Sequence, residues 1–248
     1  MESRLNVQEK EPRILGKVSI MRHAATKYTD QFPDVTEKGV EQSRERGKEL
    51  KSKIDRSTDD VLFASSSSVR TRGTMSFILE ELGEEDADVR TLESIRSVEI
   101  RDMGKARVMI DEIMEGTGDV AKMDRAYAND ERFENTPDIW QSKSEVEKRF
   151  YRGLEYLIRS FIKYQKIHKN EKTPHLVAVS HFEFLNHFVA KVFNLDLKKD
   201  DLLGFTEMVE MEIREPVANK PNEVPIRIFF RGQNKDIIFN REERLITI

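Results

Sequence analysis

The chain contains no cysteine, so neither a disulfide framework nor a thiolate metal site is open to it. It also lacks any apolar run near the roughly 18 residues that a membrane-spanning helix needs. A basic surplus is missing as well: 42 Lys and Arg stand against 46 Asp and Glu, for a net charge of −4. Nucleic-acid-binding domains usually show the opposite balance. The opening residues, MESRLNVQEKEPR, have no apolar stretch of the kind a secretory signal carries. The expectation is a cytoplasmic protein with neither a nucleic-acid nor a membrane partner. No Gly-rich nucleotide loop, internal repeat or low-complexity tract is visible. What is present is 38% hydrophobic residues beneath 35% charged ones, enough for a sizeable core under a charged surface. The 248 residues suit one large α/β domain or two small ones.

Strand and helix patterns alternate along most of the chain. Residues 1–13 read as a flexible lead-in. Ile14–Met21 is β-branched and apolar and runs directly into Arg22-His23. Helical patterns span Thr36–Ile54, Val69–Leu82 (stopped at Gly83), Lys105–Glu115, Lys143–His168 and Phe182–Phe193. Short buried strands are expected at Val61–Ala64, Asp88–Leu92 and His175–Ser180. From Thr206 onward, alternating strands with turns at Pro221-Asn222 and Gly232-Gln233-Asn234 indicate antiparallel hairpins. This pattern predicts a three-layer α/β/α sandwich whose sheet is mostly parallel with antiparallel edge strands. Residues 14–248 form a single domain in this reading. The stretch 105–142 fits no βαβ repeat, and its part from Gly116 to Ser142 reads as irregular, so it is taken as an inserted lid.

Two of the predicted strands end in histidine, at Arg22-His23 and at Ser180-His181. In open α/β sheets ligands bind beyond the carboxyl ends of the strands, so these two residues can face one pocket. The turn Ser65-Ser66-Ser67-Ser68-Val69-Arg70 follows another strand and brings a guanidinium to the same edge. Arg offers a planar fork to two phosphate oxygens, and helix N-termini add backbone N–H donors. His187 has no metal-ligand spacing to His181, and no metal site is expected. His168 and His175 flank a polar loop and are expected to be solvated. Lys27, Lys38 and Arg96 read as charged surface.

Taken together, these residues resemble the histidine phosphatase superfamily, which includes cofactor-dependent phosphoglycerate mutases and acid phosphatases. Four features carry the resemblance in family order. They are Arg22-His23-Ala24-Ala25-Thr26, the helix start Thr36-x-x-Gly39-x-x-Gln42, the turn from Ser66 through Arg70 to Thr74, and Ser180-His181. They span Ser19 to about Val192, most of the chain.

The resemblance implies that His23 attacks phosphorus and becomes a phosphohistidine, while Arg22, Arg70 and His181 hold the phosphate oxygens. The chemistry agrees, because neutral imidazole is a competent nucleophile near neutral pH and phosphoryl transfer asks mainly for alignment and charge stabilisation. The family's proton donor is a Glu a short way after the Ser-to-Arg turn and ahead of a Gly. Glu99, followed by Gly104, fits that description best; Glu93 is the alternative, and Glu183 ranks third. Ala24 and Phe182 stand where the family often has Gly, Ser67-Ser68 replace a common Pro-Leu, and Lys27-Tyr28-Thr29 depart from the mutase continuation. The implied activity is metal-independent phosphomonoester hydrolysis without a cofactor, on a small phosphorylated substrate or a phosphoprotein. A phosphoglycerate or phosphosugar mutase and a non-catalytic phospho-ligand binding module are the alternatives. The antiparallel strands near the C-terminus also offer an edge through which two subunits could pair as a homodimer.

Overall fold

The computed structural model describes residues 12–27, 34–115, 117, 119–169, 171–199 and 201–248. The chain begins β1 (Ile14–Arg22), α1 (Glu37–Lys53), β2 (Asp59–Ser65), α2 (Val69–Leu82) and β3 (Val89–Thr91). A 3-10 turn (Glu93–Ile95) leads into three helices: α3 (Met103–Met114), α4 (Val120–Asn129) and α5 (Arg132–Asn135). Then come α6 (Lys143–Ile167), β4 (Thr173–Ser180), α7 (Phe182–Phe193) and a second 3-10 turn (Leu197–Lys199). The chain closes with β5 (Met208–Arg214), β6 (Glu223–Phe230), β7 (Gln233–Asn240) and β8 (Leu245–Thr247).

Among the described residues the strands form one eight-stranded sheet in the order β3-β2-β4-β1-β5-β6-β7-β8. The first four run parallel and every later pairing is antiparallel. The parallel portion is therefore half the sheet, less than the sequence pattern predicted. The antiparallel half grows by hairpin addition after β5. At the β6–β7 turn Arg231 and Gly232 both take positive φ (48° and 73°), the conformation that matches a two-residue turn to the twist of its strands. β8, too short to show a period, extends the sheet beyond β7.

Helices cover both faces. Met21, Phe63, Val177 and Val179 meet Leu50 of α1 and Met75, Ile78 and Leu79 of α2 on one side. Val18, Ile20 and Ala178 meet Phe150, Leu154, Ile158 and Phe161 of α6 and Leu185 and Val189 of α7 on the other. Local chemistry places the helix ends. Thr36 caps α1 by accepting from the Gly39 N–H at 3.1 Å, and Ser142 and Glu145 form a reciprocal capping box at the start of α6.

Two expectations need correction, and a third falls largely outside the described residues. The stretch from Gly116 to Ser142 is not irregular, because α4 and α5 occupy it. Asp119 caps α4, and Tyr127, Phe133 and Trp140 are buried together, with Phe133–Trp140 centroids 5.3 Å apart. The lead-in lies mostly outside the described residues, but Arg13 is already fastened. Its carbonyl accepts from the Glu215 N–H at 2.9 Å, and its guanidinium pairs with the Glu215 carboxylate. His175 is buried rather than solvated. Its Nε2 lies 2.9 Å from Ser19 Oγ and its Nδ1 3.4 Å from Asp59, which also pairs with Lys17 at 2.8 Å. His168 is exposed and stacks on Tyr164.

Two outcomes follow. A Cβ at Gly39 would come within 2.3 Å of the Ala25 carbonyl oxygen, a backbone atom that cannot step aside cheaply. Gly39→Ala should therefore lose about 1–3 kcal/mol in urea denaturation. For His175, burial lowers the proton affinity below the ordinary value of 6.5, so the unfolded chain binds that proton more readily. Its contribution is complete above about pH 6.5 and is lost as the pH falls, at up to about 1.4 kcal/mol per pH unit. The urea midpoint should drop between pH 7.5 and 5.5, and His175→Asn should flatten that slope by its own share.

Candidate active site

Parallel pairing in register sets the site. Arg22 of β1 lies opposite Ser180 of β4, so both strands finish at one level and deliver His23 and His181 side by side. The His23 N–H donates to the Ser180 carbonyl at 2.9 Å. The two rings meet edge to face, with centroids 5.4 Å apart at 65°. On the other side of β4, β2 ends level with them, and its turn into α2 carries Ser66 and Arg70 to the same edge.

Hydrogen bonds fix both tautomers. The His23 Nδ1–H donates to the Ala24 carbonyl at 2.8 Å, which leaves the lone pair on Nε2. Arg70 Nη2 donates to His181 Nδ1 at 3.1 Å, so the proton of His181 sits on Nε2 and is donated to Ser66 Oγ at 2.7 Å. Ser66 is held in turn by Thr71, at 2.8 Å. Burial holds His23 neutral well below its ordinary proton affinity, and the charges of Arg70 and Arg22 add to this against the Ala24 hydrogen bond. His181 is lowered in the same way, first by burial and then by Arg70.

The loop after His23 is tied down on all sides by the residues of the sequence pattern. The Ala24 N–H donates to Thr74 Oγ1 at 3.0 Å and the Ala25 N–H to Gln42 Oε1 at 3.0 Å. Both the Thr36 N–H and its hydroxyl donate to the Ala25 carbonyl, at 3.0 and 3.2 Å. Gly39 lets α1 approach closely enough for these contacts to form. The spacing Thr36-x-x-Gly39-x-x-Gln42 is thus a clamp on the histidine loop.

Arg22 is only 2% exposed, and its guanidinium lies between Phe205 and Phe182, at 4.0 and 5.0 Å from their ring centres. Phe182 therefore forms a wall for this cation. Arg22 Nη1 donates to the Leu203 carbonyl at 2.9 Å and pairs with Asp124 Oδ2 at 2.7 Å. Its Nε and Nη2 are buried and have no hydrogen-bond partner among the described residues. Those two N–H groups share one edge of the guanidinium and form a fork suited to two oxygens of an anion.

Asp124 was not anticipated. It comes from α4, inside the stretch read as irregular, and no motif links it to Arg22. Burial raises its proton affinity to about 6, with the Arg22 charge opposing and Glu183 reinforcing. Arg149 of α6 was also missed: it donates to the carbonyls of Arg96 and Ser97, and burial lowers its proton affinity to about 10.

The three glutamates named from sequence have different settings. Glu99 is 46% exposed and pairs with Arg96 at 2.6 Å. Glu93 is exposed and opens the first 3-10 turn. Glu183 stands in the first turn of α7, and its Oε2 is buried without a hydrogen-bond partner. Among the described residues no group of three or more His, Asp or Glu is placed to hold a metal ion, and no helix is long and apolar enough to cross a membrane. The arrangement offers a neutral imidazole nitrogen, two guanidinium groups and a second histidine around one strand edge, a setting for a tetrahedral anion.

Comparison with known proteins bears on the fold and the family. No curated protein is similar enough in sequence to count as a relative. Solved structures share the fold at low identity. A phosphoglycerate mutase from Bacillus anthracis str. Sterne is 15% identical with TM-score 0.54, over 89% of this chain and 90% of that one. A mycobacterial glucosyl-3-phosphoglycerate phosphatase is 17% identical with TM-score 0.57, over 87% and 97%. A protein described as mycobacterial hydrolase 2 is 16% identical with TM-score 0.59, over 89% and 92%. The sequence profile of the histidine phosphatase superfamily (branch 1) matches residues 18–215, from β1 to just past β5 and through every residue of the histidine cluster, and the chain belongs to that family.

Proposed function

We propose that the protein is a metal-independent phosphomonoesterase that works through a phosphohistidine on His23. The observation that carries this reading is the fixed tautomer of His23. Its Nδ1–H is committed to the Ala24 carbonyl, so Nε2 presents a lone pair beside His181 and within the fields of Arg22 and Arg70. A nucleophile for phosphorus needs that nitrogen unprotonated, and burial together with two cations keeps it so at neutral pH. When Nε2 bonds to phosphorus the ring becomes cationic, and the Ala24 carbonyl then stabilises the proton left on Nδ1.

Charge supplies the remainder. The Nε/Nη2 fork of Arg22 takes two phosphate oxygens, and the charge of Arg70, whose guanidinium is anchored on His181, completes the cradle. Hydrolysis of the phosphoenzyme by water returns His23 and releases inorganic phosphate. The substrate is a small phosphate monoester or a phosphorylated side chain, met in the cytoplasm.

Incubating the protein with an aryl phosphate in EDTA and quenching for acid-labile label tests this. Turnover with a trappable phosphoenzyme is expected, and His23→Ala should remove both while keeping the unfolding free energy from urea denaturation within about 1 kcal/mol of wild type. Label released mainly to an added alcohol would mark a mutase instead. The absence of both label and turnover would mark a binding module.

Metal dependence gives a separate outcome. The rate should be the same, within error, after dialysis against EDTA and after addition of Mg²⁺, Mn²⁺ or Zn²⁺. Loss in EDTA with recovery by one of these ions would refute the metal-free reading.

A further inference from the structure

Phosphoryl transfer to His23 expels an alkoxide, and an alkyl alkoxide needs a proton at the moment the bond breaks. Glu99, expected for this role from sequence, keeps its carboxylate on Arg96 at 2.6 Å, with its side chain 46% exposed. A different carboxylate stands directly on the cluster. Asp124 of α4 is 17% exposed, and its Oδ2 lies 2.7 Å from Nη1 of Arg22, the residue adjoining His23.

The division of labour on Arg22 matters here. Nη1 is already engaged by Asp124 and the Leu203 carbonyl, while the edge formed by Nε and Nη2 has no hydrogen-bond partner among the described residues. A phosphate seated on that edge leaves Asp124 in place on the same guanidinium. Resting on the phosphomonoesterase reading above, we propose that Asp124 is the catalytic acid–base residue, protonating the leaving oxygen and later deprotonating the attacking water.

The step balances as follows. His23 Nε2 forms a bond to phosphorus as the P–O ester bond breaks, and the Asp124 carboxyl proton passes to the departing oxygen. The products are an alcohol, a phosphohistidine and a carboxylate. Water then attacks phosphorus while Asp124 takes its proton, the N–P bond breaks, and inorganic phosphate leaves with His23 neutral and Asp124 protonated again.

The surroundings favour this cycle. The charged groups acting on Asp124 are Arg22 from β1, Glu183 from α7 and Arg125 on its own helix. Burial and Glu183 hold the proton on, the two arginines draw it off, and the balance lies at about 6. A doubly charged phosphate on Arg22 neutralises the cation that favours the carboxylate, so substrate binding pushes the proton onto Asp124 where it is needed. Tyr127, one turn further along α4, packs its ring against Phe182 and His187 and seats the helix on α7.

The test compares leaving groups, because p-nitrophenolate departs without a proton and an alkoxide does not. Single-turnover phosphorylation by glycerol phosphate should fall about 10²–10⁴-fold in Asp124→Asn, and by p-nitrophenyl phosphate less than about 10-fold. Glu99→Gln and Glu183→Gln should depress both substrates by similar factors. In wild type, kcat/KM for glycerol phosphate should decline as pH rises through about 6, and Asp124→Asn should remove that limb. Equal losses on the two substrates in Asp124→Asn would overturn the assignment and leave Asp124 as a positioning residue for Arg22. Leaving-group dependence in Glu99→Gln or Glu183→Gln would overturn it in favour of that residue. Failure of wild type to form any acid-labile phosphoenzyme would instead strike the phosphohistidine reading, so the two ideas fail separately.

Discussion

The pairing of β1 with β4 is the constraint on which the site depends. These strands are parallel neighbours, and six consecutive residue pairs from Lys17–His175 to Arg22–Ser180 hold them in register. A slip of one residue would turn every side chain of β1 to the opposite face. Met21 would leave the core shared with α1 and α2, and Val18 and Ile20 would leave the core shared with α6 and α7. The apolar alternation that protects the register is therefore also what holds His23 level with His181. Core packing and the meeting of the two rings are one requirement.

Electrostatics at this edge rests on a second balance. Two arginines converge on two histidines, and burial keeps the histidines neutral, so the cations do not face further positive charge. Arg22 is accommodated by a carboxylate, a carbonyl and two aromatic faces, a combination that lets a guanidinium leave water. Arg70 is held by His181, which Ser66 orients and Thr71 supports.

Much of this could be read from the chain alone where a feature is local. Ile14–Arg22 and Thr173–Ser180 carry the β-branched, apolar content of a buried strand, and each hands over to a histidine at its end. The helices from Val69 and from Phe182 lie where their periodicity puts them. The features that escaped reading are those made between distant segments. Asp124 meets Arg22 across about a hundred residues of chain, on a helix whose inward residues are sparse among charged ones. His175 borders a polar loop in sequence, yet its partners Ser19 and Asp59 come from the two flanking strands. The parallel share of the sheet was overread because β8 adds an antiparallel partner only three residues long, a length at which alternation carries no signal.

On the proposed function, Arg22 would also tie folding to ligand capture. The groups around its guanidinium come from β1, from α4, from the first turn of α7 and from the loop between residues 203 and 205. These segments are distant in sequence, so the surroundings of this guanidinium form only when they have closed on one another. A partly opened molecule would lose the anion site as a unit. An anion held there would in turn draw the equilibrium toward the fully closed chain, by an amount set by its concentration relative to its dissociation constant. Occupancy of this one arginine would then act on the lifetime of the protein as a whole, from the first strand to the last turn before β5.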